Sequence, residues 1–171
     1  MKNFPAAARK FRDRQFWLRW LAVLLWLAVV AHFSAQPFSR QDLKPFLERQ
    51  EWLLRAVAAL PEMEIRYPGK VYNSRREPVL FVQLVFRKIV HVVLYGTGGL
   101  LFLGALGASG LKGACAWAAA VVMVAAAGAF DECRQAGAEG RSGLPQDVAL
   151  DLAGFLLFYA VAAVLKRKKA R

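Results

Sequence analysis

The chain has 171 residues, 57% of them hydrophobic, and carries 24 Lys and Arg against 12 Asp and Glu. A soluble basic protein spreads such charges along its helices, but here four long stretches hold almost none, which excludes a soluble helical bundle and gives no reason to expect a nucleic-acid partner. The length leaves no room for a sizeable second domain.

Residues 1–15 are a basic tail with Lys2, Arg9, Lys10, Arg12 and Arg14. A helix needs roughly 20 mostly apolar residues to cross a bilayer core of about 30 Å, and in lipid its backbone must bond to itself. The first such segment covers about 16–34. Phe33 spoils the small-residue pattern that a signal-peptidase cut after Ala35 needs, so the segment reads as an anchor. Trp17, Trp20 and Trp26 read as belt and lipid-facing residues. An outer loop over 35–85 follows, mixed in charge. Within it, Leu43 to Leu60 repeats apolar residues at helical steps through Phe46, Leu47, Leu53, Leu54, Val57 and Leu60, which predicts one amphipathic helix at the interface. Pro61, Pro68-Gly69 and Pro78 break the chain after it into loop.

The second span covers about 86–106, with Val79 to Val85 as its lead-in. A tight turn at Ala108-Ser109-Gly110 leads to the third span at 113–130, an outer polar loop at 131–146, a fourth span at 147–165 and a basic tail at 166–171. The fold class is therefore an all-α membrane protein with four transmembrane helices and an interfacial helix between the first and second. Cys115 and Cys133 are separated by eighteen residues, about 27 Å along a helix, too far for a disulfide; they read as small apolar fillers. Six Lys and Arg lie in residues 1–19 and five in residues 166–171, so both termini are expected in the cytoplasm.

Charged residues at membrane depth are expensive and default to function. Lys88, His91 and Tyr95 share one face of the second span by their i, i+3, i+7 spacing. Asp131 and Glu132 close the third span, and Gln135 would share a face with Asp131 if the helix continued one turn. Asp147 and Asp151 open the fourth. Arg134 and Arg141 lie in the loop between. All belong to one bilayer edge. Lys88 and Arg141 suit an anion. The four acids have oxygen ligands for a divalent cation, although no metal-ligand spacing requires one and no cofactor is otherwise expected. His91, Asp131 and Glu132 are the candidates for catalysis, with His91 as a base. No nucleophile elbow, phosphate-binding loop or HExxH is present. Gly96-Thr97-Gly98-Gly99 reads as a close-packing stretch.

Three blocks carry a family pattern: FSAQP at 33–37, RKIVHVVLY at 87–95 and DECRQAGAEGRSGLPQDVALDLAG at 131–154. On these the chain resembles the VanZ-like membrane proteins, named for a teicoplanin-resistance protein. Leu94 stands where the family often has Glu, and Arg134 where it often has His. Lys88, His91, Tyr95, Asp131, Glu132, Gln135, Arg141, Asp147 and Asp151 keep the pattern. The resemblance implies a topology and a phenotype, lowered sensitivity to glycopeptides of the teicoplanin type in some members, rather than a reaction. The expected partners are membrane lipid and an anionic lipid head group, cell-wall precursor or lipoglycopeptide. Two other functions stay open: a membrane-embedded lipid-phosphate hydrolase or transferase, and a structural or partner-binding protein.

Overall fold

The computed structural model describes residues 6–67, 69–141 and 143–170, with side chains from residue 13 onward. Lys2, Pro68, Ser142 and Arg171, and the side chains of Arg9, Lys10 and Arg12, lie outside the described residues. In chain order the elements are helices α1 (Ala6–Ser34), α2 (Phe38–Gln41), α3 (Lys44–Leu47) and α4 (Glu51–Ala59), strands β1 (Glu64–Tyr67) and β2 (Lys70–Asn73), then helices α5 (Pro78–Ala108), α6 (Gly113–Ala136) and α7 (Pro145–Lys169). Four of them, α1, α5, α6 and α7, are long and apolar enough to cross a membrane. The chain divides into two compact units, one of residues 1–36 and 91–171, the other of residues 37–90.

In the first unit the core is built from Val23, Trp26 and Val30 of α1, Tyr95, Phe102 and Ala105 of α5, Ala120 and Val124 of α6 and Phe155 of α7. Small residues let these helices approach. A Cβ at Gly154 would lie 2.6 Å from the Val92 carbonyl, and one at Gly96 would lie 2.9 Å from the Gly154 carbonyl. Side chains at Gly98 and Gly99 would collide with Trp26 and Phe155. Trp26 is thus no belt residue. Its indole N–H donates to the Leu94 carbonyl at 2.9 Å, and its ring meets Tyr95 and Phe102 edge-on. Within a bundle this interior position satisfies the one polar atom of the indole. Trp17 is exposed, as a belt residue should be, while Trp20 donates to Ser109 Oγ. Cys115 and Cys133 are both free and both exposed, so neither fills the core.

In the second unit the expected single helix at 43–60 is broken. Asp42 Oδ1 accepts the Lys44 amide at 3.0 Å, starting α3, with Pro45 in its first turn. The polar run Glu48-Arg49-Gln50 has no apolar side to bury, and the chain turns there before α4. Only Val57 of α4 is buried, while Trp52 is exposed. The loop beyond it contains a two-stranded antiparallel hairpin that pairs Glu64 with Asn73 and Tyr67 with Lys70. Gly69 takes a positive φ of 84° in its turn. Asn73 and Ser74 tie off its base: Asn73 Oδ1 accepts the Arg75 and Arg76 amides, and Ser74 Oγ accepts the Met63 amide.

The long helices run further than their apolar stretches predict. α1 starts at Ala6, inside the expected tail, because Arg and Lys are good helix formers and a charged turn simply continues an apolar one. α5 starts at Pro78, whose missing N–H costs nothing in a first turn. α6 continues through Asp131, Glu132 and Gln135 to Ala136.

Candidate polar centre between three membrane helices

The inner face of α6 explains where the polar residues go. Its buried positions are Ala116, Ala120, Val124 and Gly128, then Asp131, Glu132 and Gln135. A stripe of small residues at steps of four thus turns polar in the last two turns, without leaving the bundle. On α7 the corresponding face is Asp147, Asp151, Gly154 and Phe155, all buried. On α5 it is His91 and Tyr95, whose rings stack at 6.0 Å.

These side chains form a network of three hydrogen-bonded groups, brought together by the stacking of His91 on Tyr95 and by the approach of His91, Asp131 and Glu132. The Tyr95 hydroxyl donates to Asp131 Oδ2 at 2.9 Å, and the Gln135 amide donates to the same oxygen at 3.0 Å. Arg141 Nη2 donates to Gln135 Oε1 at 2.7 Å, and its Nη1 to the Phe33 carbonyl at 3.2 Å. Asp151 Oδ1 lies 3.0 Å from His91 Nδ1. An ionised carboxylate only accepts, so Nδ1 donates to it, and in the neutral imidazole Nε2 keeps its lone pair. The Leu144 amide donates to Glu132 Oε2 at 2.7 Å.

The chain path around the network is tightly specified. Gly128 leaves room for Asp151, whose Oδ2 would lie 2.8 Å from a Cβ there. A Cβ at Gly143 would collide with the Glu132 carbonyl. Gly140 holds a positive φ of 72° immediately before Arg141, so the Gly-Arg pair is a backbone requirement followed by a side chain of the network.

Of the residues singled out from sequence, the structure joins His91, Tyr95, Asp131, Glu132, Gln135, Arg141 and Asp151. Asp147 is buried one turn before Asp151. Lys88 belongs to the other compact unit, where it donates to the Tyr67 hydroxyl at 2.7 Å and its ammonium lies 4.0 Å from that ring's centroid. Sequence reasoning missed four contributors. The α1 carbonyls of Ala31 and Phe33 accept from Arg134 and Arg141; the last carbonyls of a helix lack their full set of intrahelical donors, which is the available signal. Gly128 and Gly143 are the others, and their role depends on tertiary approach alone.

Acids dominate the centre. Four buried carboxylates, Asp131, Glu132, Asp147 and Asp151, face a single imidazole and a single half-buried guanidinium among the described residues of the network. Among the described residues, three carboxylate oxygens, Asp131 Oδ1, Glu132 Oε1 and Asp151 Oδ2, are buried with no hydrogen-bond partner. A buried carboxylate oxygen without a partner is unfavourable, and acids at membrane depth are a functional hypothesis by default.

The family model described as VanZ/LLP1 matches residues 18–166. The chain belongs to the VanZ-like family. That span contains all four long helices' apolar runs and every member of the network, so the centre is part of the VanZ-like domain itself. No curated protein and no solved structure gives a match.

Proposed function

We propose that this VanZ-like membrane protein serves the cell envelope by binding an anionic ligand, a lipid head group or a glycopeptide-type antibiotic, at the polar centre. In some settings this binding lowers sensitivity to teicoplanin-type compounds. The observation that carries the reading is the anchoring of Arg141: two of its nitrogens are fixed by Phe33 and Gln135, beside buried acids. A guanidinium oriented in this way meets phosphate or carboxylate with a planar fork at little entropic cost. Lys88, held by Tyr67 in the other unit, is not needed for this reading.

Orientation follows from the basic termini: both lie in the cytoplasm and the Asp131–Asp151 end of α6 and α7 faces outward. The test is expression in a glycopeptide-sensitive host with membrane levels matched by immunoblot. Arg141→Gln and Asp131→Asn are expected to abolish the change in sensitivity. Undiminished effect in both variants overturns the reading.

One observation favours a second reading. Asp151 orients His91 as it would orient a general base, which suits hydrolysis of a lipid phosphate. Release of inorganic phosphate from polyprenyl or phospholipid phosphate by purified protein, lost in His91→Gln, would favour it over binding alone.

A further inference from the structure

We infer that His91, Asp131 and Glu132 form a site for a divalent transition-metal ion of the zinc or manganese kind. One ligand atom from each of the three residues lies within 4.8 Å of the other two. Proximity of acids alone would not argue for a metal. The independent observation is that Asp131 and Glu132, only 5% and 4% exposed, each keep one oxygen with no hydrogen-bond partner.

The remaining atoms of the same side chains are already engaged. Asp151 takes His91 Nδ1, Tyr95 and Gln135 take Asp131 Oδ2, and the Leu144 amide takes Glu132 Oε2. Each residue therefore has one unengaged atom: Nε2, Oδ1 and Oε1. Metal ligands are held in this way, with the second nitrogen of a histidine on a carboxylate and each ligating carboxylate fixed through its other oxygen. An ion held by the three residues would lie about 2.0–2.2 Å from each ligand atom; one atom of each residue already lies within 4.8 Å of the others, and the site closes from that separation.

The donor set selects the metal class. One imidazole and two carboxylates suit zinc or manganese, whereas magnesium and calcium favour all-oxygen shells. Three protein ligands leave at least one position for water or a phosphate oxygen, as in sites that bind substrate. The ion would also offset the excess of buried negative charge.

The chain has two histidines, His32 and His91, which makes the site spectroscopically readable. His32 is separately engaged, its Nε2 accepting from the Gln36 amide at 2.9 Å. Tag-free full-length protein in detergent is loaded with Mn²⁺, desalted and measured for metal content and for nitrogen coupling by pulsed electron paramagnetic resonance. About one ion per chain and the coupling of a single imidazole are expected. The coupling persists in His32→Gln and disappears in His91→Gln. Asp131→Asn and Glu132→Gln lower Mn²⁺ and Zn²⁺ affinity at least tenfold, and Asp151→Asn lowers it roughly 10–100-fold, the usual effect of removing a ligand's supporting carboxylate. Bound Mn²⁺ without nitrogen coupling overturns the site. So does wild-type affinity for Zn²⁺ and Mn²⁺ no greater than that of the His91→Gln, Asp131→Asn, Glu132→Gln triple variant. The coupling is also read on the His32→Gln chain, which changes nothing in the centre, so the assignment stands whether or not the centre's own variants fold. Sensitivity to glycopeptides is a separate measurement, and failure of either result leaves the other standing.

Discussion

A tyrosine that is fully buried in a membrane bundle must place its hydroxyl somewhere. Here Asp131 supplies the acceptor, and Tyr95 in turn fixes which way that carboxylate turns. Tyr95→Phe keeps the ring packing and removes one donor to a buried acid, so a loss of about 1–3 kcal/mol is expected in reversible unfolding in mixed micelles. That His91 and Tyr95 share a face could be read from their spacing alone, and the structure adds that their rings stack. The partners of those rings could not, since they come from α6 and α7. Trp26 shows the opposite failure. Tryptophan in a span defaults to the interface, and only its three- and four-residue steps to Val23 and Val30 hint at the inner stripe. Trp26→Phe leaves the Leu94 carbonyl without its extra donor and is expected to cost about 1 kcal/mol in the same assay.

At the scale of elements, apolar length announces a membrane helix but not its ends. α6 was hard to delimit because Asp131 and Glu132 look like a boundary, whereas in the fold they are inner-face residues of a continuing helix. The hairpin of β1 and β2 was hidden for another reason. Its strands have four residues each, and the Pro68-Gly69 pair signals a turn without saying what it joins. The glycine stretch in α5 was legible as a packing device, and the structure adds which neighbour each glycine admits. Gly154→Val brings a side chain against the Val92 backbone, which has no rotamer to yield, and is expected to cost about 1–3 kcal/mol or more. Gly107→Ala, with nothing within 4 Å of the new methyl, is expected to leave unfolding unchanged. Equal stability of the two variants would contradict the helix approach described.

For the whole molecule, the arrangement of four spans follows from the near absence of charge in four stretches and needs no family knowledge. The meeting of the polar ends needs the third dimension. Cys115 and Cys133, both free and exposed near opposite ends of α6, provide a native test of orientation. With both termini in the cytoplasm, a membrane-impermeant maleimide added to intact cells should label Cys133 and spare Cys115. Labelling of Cys115 alone would reverse the topology. The oxygens of Asp131, Glu132 and Asp151 that bond no described residue are buried acceptors, and satisfying a buried acceptor stabilises the folded state. Any molecule or ion that supplies their missing partner must therefore raise the melting temperature. At a hundredfold excess over its Kd such a compound adds about 2.7 kcal/mol, several degrees for a chain of this size. The protein can thus be used as a thermometer for its own ligand: a melting screen over metal salts, phospholipids and cell-wall intermediates needs no prior guess at the chemistry, and Asp131→Asn should flatten the response to whichever compound scores.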